Sequence, residues 1–244
     1  MRILQDLIAS IDADSPVRAV RQGPFQTAVW TRYCGLATTP HDSSFHHNDI
    51  PVRDAGMLLD SQAKDLMQMA QSSSPFEAAI GMAAINSLLD NEEQLCVELN
   101  AADLLAQKGS GKRIALVGHF PFVQKLRREA KELWVIEKQP RQEDLPESEA
   151  GRLIPQADVV GITGSTFINH SLDHLLSLCS PQAYVVILGG TTPLSSILFR
   201  YGVDALSGTR VTDPDLVLRL VSEGAVFRQI RGVRRLTLMK KKTI

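Results

Sequence analysis

The chain has no run of apolar residues approaching the roughly 20 needed to cross a bilayer, so no membrane span is expected. Its first residues, "MRILQDLIAS", hold an apolar run too short and too interrupted for a secretory signal. Cysteine is scarce: Cys34, Cys96 and Cys179 are scattered and odd in number. That argues against a disulfide framework and for a reducing compartment, so a cytoplasmic location is expected. Familiar catalytic motifs are also missing. There is no Walker loop, nucleophile elbow, H-E-x-x-H, paired C-x-x-C or zinc-finger spacing. Ser195 and Ser196 therefore sit in no motif that makes a serine a nucleophile.

At 244 residues the chain suits two modest domains sharing a cleft. The net charge is only −1, but it is unevenly spread. Residues 1–110 carry 7 Lys+Arg against 14 Asp+Glu, while 111–244 carry 19 against 13. Either two domains have different surfaces, or an acidic half that attracts cations faces a basic half across the cleft. The basic end "RQIRGVRRLTLMKKKTI" has no aromatic interleaving and no recognised motif. A nucleic-acid partner is not expected.

The patterning predicts an α/β protein. In the first part, a short helix covers about 2–10. Two β-rich runs, 17–22 and 26–33, flank "GPFQ", a hairpin signal. "SQAKDLMQMAQS" and "SSPFEAAIGMAAINSLLD" read as helices. The second has Ser74 as its cap, Pro75 at the first helical position and Glu77 completing an S-x-x-E box. Its many Ala and Gly residues make it thin, so a close neighbour is expected. A further helix, about 93–107, leads to the Gly-rich "KGSGKR", which places a domain boundary at 108/109. Beyond it, "RIALVG", "LWVIE", "DVVGITG", "AYVVILGG" and "VDALSG" alternate with helical or loop segments, the pattern of a parallel sheet covered on both faces. Thr192-Pro193 and Asp213-Pro214 both read as helix starts. Residues 139–151 read as a polar loop.

Ligands of such sheets bind beyond the carboxyl ends of the strands, where strand order reverses. The predicted strands end in Gly118-His119, Glu137, Thr163–Thr166, Gly189–Thr192 and Ser207–Thr209. Loops need turn residues in any case, but a histidine and a glutamate ending otherwise apolar strands call for more. Gly118 followed by a helix start suits a pyrophosphate, yet Phe120 and Phe122 stand where G-x-G-x-x-G needs backbone. No standard NAD site is expected. His119 is either a hydrogen-bonded strand end or a metal ligand or proton shuttle. His170 and His174, spaced i, i+4 on a predicted helix, fit either an exposed face or a chelate. The stretch "HDSSFHHND", 41–49, holds three of the six histidines, with Cys34 just upstream. It reads as a solvated polar loop or as a metal contact through His46, His47 and Cys34.

"FEAAIGMAAINSLL", "VGHFPFV", "VIEKQP", "ADVVGITGSTFINHSLDHLL" and "ILGGTTPLSSILFRYGVDALSGTRVTDPD" follow one another in this order. Together they resemble the heavy-metal chelation family of uncharacterised prokaryotic proteins, from about Val17 to Gly224. The resemblance implies an enolase-N-terminus-like domain followed by a Rossmann-like domain, with a site between them. On the matching motifs it implies ligand contacts from Glu77, Asn86, Glu137, Thr166, Asn169, Thr191 and Thr192, and metal contacts from His119 and Glu137. The reading is thus a metal-handling protein that binds a transition- or heavy-metal ion, or its complex with a small polar ligand, in the interdomain cleft. The rival is a small-metabolite enzyme using a nucleotide-like cofactor in the Rossmann-like half, with His119 or Glu137 as acid–base group. A third reading is a ligand sensor that closes without turnover. A homodimer is the default assembly.

Overall fold

A computed structural model describes residues 1–40, 52–90 and 95–241. The stretch 41–49, with His46 and His47, lies outside the described residues. The architecture is α/β: a small antiparallel sheet from the N-terminal part and a larger, mostly parallel one from the rest.

The small sheet has three strands in sequence order, β1 (Ala19–Gln22), β2 (Gln26–Trp30) and β3 (Cys34–Thr38). The turn at "GPFQ" joins β1 to β2 as expected, with Gln22 opposite Thr27. The second β-rich run, expected at 26–33, ends as a strand at Trp30, because the chain reverses at 31–33; β3 follows beyond the expected run. Pleating sends Val29 and Ala37 to one side and Ala28, Cys34 and Leu36 to the other. Both sides of β2 and β3 are covered, and four of the five residues in each of these strands are buried.

α1 (Arg2–Ala9), α2 (Ala63–Gln68) and α3 (Pro75–Leu88) accompany this sheet. Ser74 caps α3 by accepting from the Glu77 N–H at 3.4 Å, and Pro75 opens it. The thinness of α3 is used twice. A Cβ on Gly81 would lie 1.9 Å from the Ala70 nitrogen, in the short 3-10 turn after α2. A Cβ on Gly35 of β3 would lie 2.1 Å from the Ala83 carbonyl oxygen of α3.

The larger sheet contains β4 (Cys96–Val97), β5 (Arg113–Val117), β6 (Glu132–Glu137), β7 (Leu145–Pro146), β8 (Val159–Thr163), β9 (Tyr184–Leu188), β10 (Ala205–Val211) and β11 (Val233–Met239). Their order across the sheet is β4-β11-β10-β9-β8-β5-β6-β7. The five expected strands, β5, β6, β8, β9 and β10, run parallel. The basic end is not a tail: β11 pairs antiparallel with β10 along its whole length, and β4 pairs with β11. β7 adds a two-residue parallel edge beside β6.

The faces follow the strand pleat. Ala115, Val185 and Ile187 point into the core shared with α1, α2 and α3. Ile114, Leu116, Val186 and Leu188 point the other way, under α4 (Ala101–Gly109) and α5 (Val123–Glu129). α6 (Ala150–Leu153) and α7 (Leu172–Leu178) cover the first face. α8 (Pro214–Ser222) packs on β1 and β2, and Asp213 caps it by accepting from the Leu216 N–H at 3.1 Å. Thr192-Pro193 starts no helix: residues 192–195 form no regular element, and a 3-10 helix begins only at Ser196. Of the helix expected at 93–107 only the later part is helical, as α4; Cys96–Val97 pairs as β4 instead, and the Gly-rich break is the turn from α4 into β5. No helix among the described residues is long and apolar enough to cross a membrane.

Candidate functional site

Strand order reverses at β5, which has β6, the next long strand, on one side and β8 on the other. The two connections leave the strand ends in opposite directions, and a crevice opens there. Gly118 follows β5 with φ +102°, a left-handed conformation that strains other residues. A Cβ at this position would also crowd Thr163, at 3.1 Å, and Phe120, at 3.3 Å. Glycine lets the end of β5 lie against the end of β8 and turn His119 out of the strand line.

His119 is held from two directions. Its backbone N–H donates to Glu137 Oε2 at 2.9 Å, while Glu137 Oε1 accepts from the Lys138 N–H at 2.8 Å. One carboxylate at the end of β6 thus fixes the turn after β5. The imidazole Nδ1 lies 2.9 and 3.0 Å from the two carboxylate oxygens of Asp144. The Asp144 side chain is 1 % exposed and also accepts from the Arg141 N–H at 3.1 Å. Nε2 of His119 makes no hydrogen bond among the described residues.

These groups border a pocket of about 280 Å³, lined among others by His119, Glu137, Thr163, Ser165, Thr166 and Asn169. The "TGSTFINHS" stretch shapes its far wall through bonds within itself. Thr166 Oγ1 donates to the Thr163 carbonyl oxygen at 2.7 Å. Asn169 Oδ1 accepts from the Ser171 N–H and hydroxyl at 3.1 and 2.7 Å. The Asn169 amide nitrogen has no partner among the described residues. A wider cleft of about 800 Å³ continues from the same His119, Glu137, Ser165 and Asn169 towards Thr38 of β3, Phe25 in the turn between β1 and β2, and Phe227 in a 3-10 turn before β11.

Other expected contacts do different work. Glu77, 1 % exposed in its side chain, accepts from Arg53 Nε, Nη2 and backbone N–H at 2.9, 3.2 and 2.9 Å. Burial pushes its pKa up, but the hydrogen bonds from Arg53 and Ser72 and the Arg53 charge together outweigh that and hold it below the usual carboxylate range. The Asn86 amide donates to the carbonyl oxygens of Leu36 and Thr191 at 2.8 and 3.1 Å. Thr191 Oγ1 accepts from the Thr38 N–H at 2.9 Å and donates to Thr38 Oγ1 at 3.2 Å. Thr192 Oγ1 is buried, without a hydrogen-bond partner among the described residues, and wedged against Gly164. None of these four lines the pocket or the cleft.

Among the described residues, no three His, Cys, Asp or Glu side chains form a group fit to hold a metal ion. Cys34 is buried in the small sheet, and burial pushes its thiol up to about 12. His170 and His174 make no helical chelate. His170 lies before α7 in a left-handed turn, φ 59°, and its Nε2 donates to the Ala70 carbonyl oxygen at 2.9 Å. Asp144 escaped the sequence reading because it sits in a polar loop with no motif. The readable trace is only the apolar-proline pair after it, which forms β7.

The "Uncharacterized protein MJ0500" of Methanocaldococcus jannaschii is 28% identical over 182 residues, 70% of each chain. A crystal structure of a DUF364 protein of unknown function from Desulfitobacterium hafniense superposes with a TM-score of 0.83 at 24% identity, covering 98% of both chains. One from Pyrococcus horikoshii, also of unknown function, gives 0.79 at 21% and the same coverage. The two structural likenesses establish a shared fold. A DUF4213 model matches residues 4–89 and a DUF364 model matches 100–240, both described as "Putative heavy-metal chelation". Since the second spans more than half of the sequence, the chain belongs to the DUF364 heavy-metal chelation family.

Proposed function

We propose that the protein handles a divalent transition-metal ion presented in a small polar chelating ligand, and takes it in the crevice at the end of β5. The observation that carries this reading is the His119–Asp144 contact at the edge of the pocket. Metal-binding histidines almost always give their second ring nitrogen to a carboxylate or carbonyl, which orients the ring and raises its basicity. Glu137, fixed beside it, offers an oxygen donor. One imidazole and one carboxylate hold a bare ion poorly, so the remaining donors come from the ligand that accompanies it. The Asn169 amide and the Ser165 and Thr166 hydroxyls, which line the same pocket, would hydrogen-bond that ligand.

The donor set also speaks to the kind of metal. Nitrogen and oxygen donors suit borderline ions such as Ni²⁺, Co²⁺ and Zn²⁺, whereas soft heavy metals select thiolates. None of the cysteines lines the pocket or the cleft. The parallel core with its reversal at β5 supports a Rossmann-like reading of the larger part, and the hairpin followed by helices supports an enolase-N-terminus-like reading of the smaller.

Native mass spectrometry of freshly purified, untagged protein tests what it carries. Calorimetric titration with Ni²⁺, free and as its citrate chelate, tests the affinity. Binding of the chelate tighter than about millimolar, weakened at least tenfold in His119→Ala, is expected. No binding of either form at about millimolar concentration overturns the proposal.

The His119–Asp144 pair also favours a second reading, a small-metabolite enzyme, because a carboxylate-held imidazole is equally a general base. That reading predicts a thermal shift with a nucleotide-like cofactor and none with metals.

A further inference from the structure

We infer that Asp144 is the positioning residue of this site: it fixes the neutral His119 ring as the Nδ1–H tautomer and so makes Nε2 the free lone pair offered to a ligand. The inference rests on the site proposed above and assigns it a ligand class: an electron-pair acceptor, here a divalent cation, rather than an anion.

The argument begins with delivery. Asp144 immediately precedes β7, whose Leu145 and Pro146 pair with Ile136 and Glu137 of β6. β6 is also the strand that ends in Glu137, the residue holding the His119 backbone. The short ladder therefore brings Asp144 to the same strand end as the histidine, 25 residues earlier in sequence. Proline at an outer strand position is tolerated because it loses no ladder bond there. The Arg141 N–H then closes the loop onto Asp144 Oδ2.

Next comes the chemistry of the contact. An ionised carboxylate only accepts hydrogen bonds, so the ring nitrogen facing both oxygens must carry the proton. In the neutral ring the other nitrogen is then the acceptor. The Asp144 side chain is buried and the His119 side chain is 24 % exposed, so the fixed end lies inside and the ring remains open to its surroundings. A carboxylate in this place costs burial that a loop asparagine or serine would avoid. Orientation of the ring is what that cost secures, as in carboxylate–histidine–metal arrangements generally.

The test uses the full chain labelled with ¹⁵N-histidine, with His119 assigned by His119→Gln. At a pH where the ring is neutral, long-range ¹H–¹⁵N spectra of the metal-free protein should show Nδ1 protonated and Nε2 bare. Asp144→Asn should switch His119 to the Nε2–H form, as loss of the orienting carboxylate does elsewhere. It should also weaken binding of the Ni²⁺–citrate probe at least tenfold. Asp144→Glu should restore the original tautomer and part of the affinity. A native Nε2–H ring, an unchanged tautomer in Asp144→Asn, or unchanged Ni²⁺ affinity after a switched tautomer would each overturn the inference. A switched tautomer in a protein that binds no metal at all would leave Asp144 as the positioning residue and sink the metal-handling reading instead.

Discussion

Asn86 and Thr191 are 105 residues apart in sequence, yet the Asn86 side-chain amide donates to the Thr191 carbonyl oxygen at 3.1 Å. The same amide donates to Leu36, and Thr191 returns a pair of bonds to Thr38. β3, α3 and the turn after β9 are thus tied together around buried polar atoms. One apolar core also runs from α1 and α3 to the larger sheet. A hinge here would strand several buried backbone groups, which argues for a cleft of fixed width and against the ligand-driven closure of a sensor.

Asn86→Ala should therefore act on stability. It leaves the buried Leu36 and Thr191 carbonyl oxygens without this donor, a loss of about 1–3 kcal/mol in total once the chain has relaxed. Urea unfolding should report a loss in that range. Binding of the Ni²⁺–citrate probe by the still-folded variant should change less than threefold; a tenfold loss with unchanged stability would make Asn86 a ligand contact after all.

Glu77 gives a pH prediction. Its folded pKa is lowered, so the unfolded chain takes up its proton first as pH falls. Its contribution is fully present above the ordinary carboxylate pKa and disappears as pH drops through the lowered folded value. Glu77→Gln should destabilise the protein at pH 7 by about 1.5–3 kcal/mol, the range for a charged hydrogen bond. The gap between variant and wild type should shrink steadily below pH 4.5. Urea midpoints measured from pH 7 to pH 3 check the sign; a gap that widens in acid would refute it.

Much of this was legible in the sequence where local chemistry dominates. Ser74 and Asp213 cap helices because a short oxygen-bearing side chain before proline has few better uses. Five apolar runs ending in polar residues became five parallel strands with His119 and Glu137 at adjacent ends. Thr192-Pro193 has the same local form as Asp213-Pro214, but tertiary packing overrides it: the Thr192 backbone oxygen lies against Gly208 of β10, and the chain forms no helix there. β11 was missed because its exposed half is arginine, and only pairing with β10 makes it a strand. Asp144 was missed for a related reason. Its role comes from a two-residue ladder to β6, which no periodicity records. Glu77, Asn86 and Thr191 carry motif-like polar groups, yet their partners are other parts of the chain, and polarity alone does not distinguish the two uses.

Gly81 yields a packing prediction. A methyl group there would meet the Ala70 backbone at 1.9 Å, and backbone cannot swing aside as a long side chain does. Gly81→Ala should cost more than the about 1–3 kcal/mol usual for overpacking, despite the better helix propensity of alanine. Circular dichroism melting should show a clear fall in Tm. An unchanged or raised Tm would mean that α3 and the turn after α2 are not in contact.

The cysteines decide how thiophilic metals meet this chain. Burial pushes the Cys34 thiol up to about 12 and the Cys179 thiol up to about 11. Thiolate is both the nucleophile and the soft ligand, and at pH 8 almost none of either group is ionised in the folded state. Cys34, 4 % exposed, is closed to reagent as well. With Ellman's reagent at pH 8, the native protein should therefore show Cys34 and Cys179 reacting at least tenfold more slowly than in urea, where all three cysteines become equivalent. The same protection should hold against Hg²⁺, which should modify Cys34 only as the chain unfolds. Fast native labelling at Cys34, identified by peptide mapping, would contradict its place inside the small sheet and reopen it as a metal ligand.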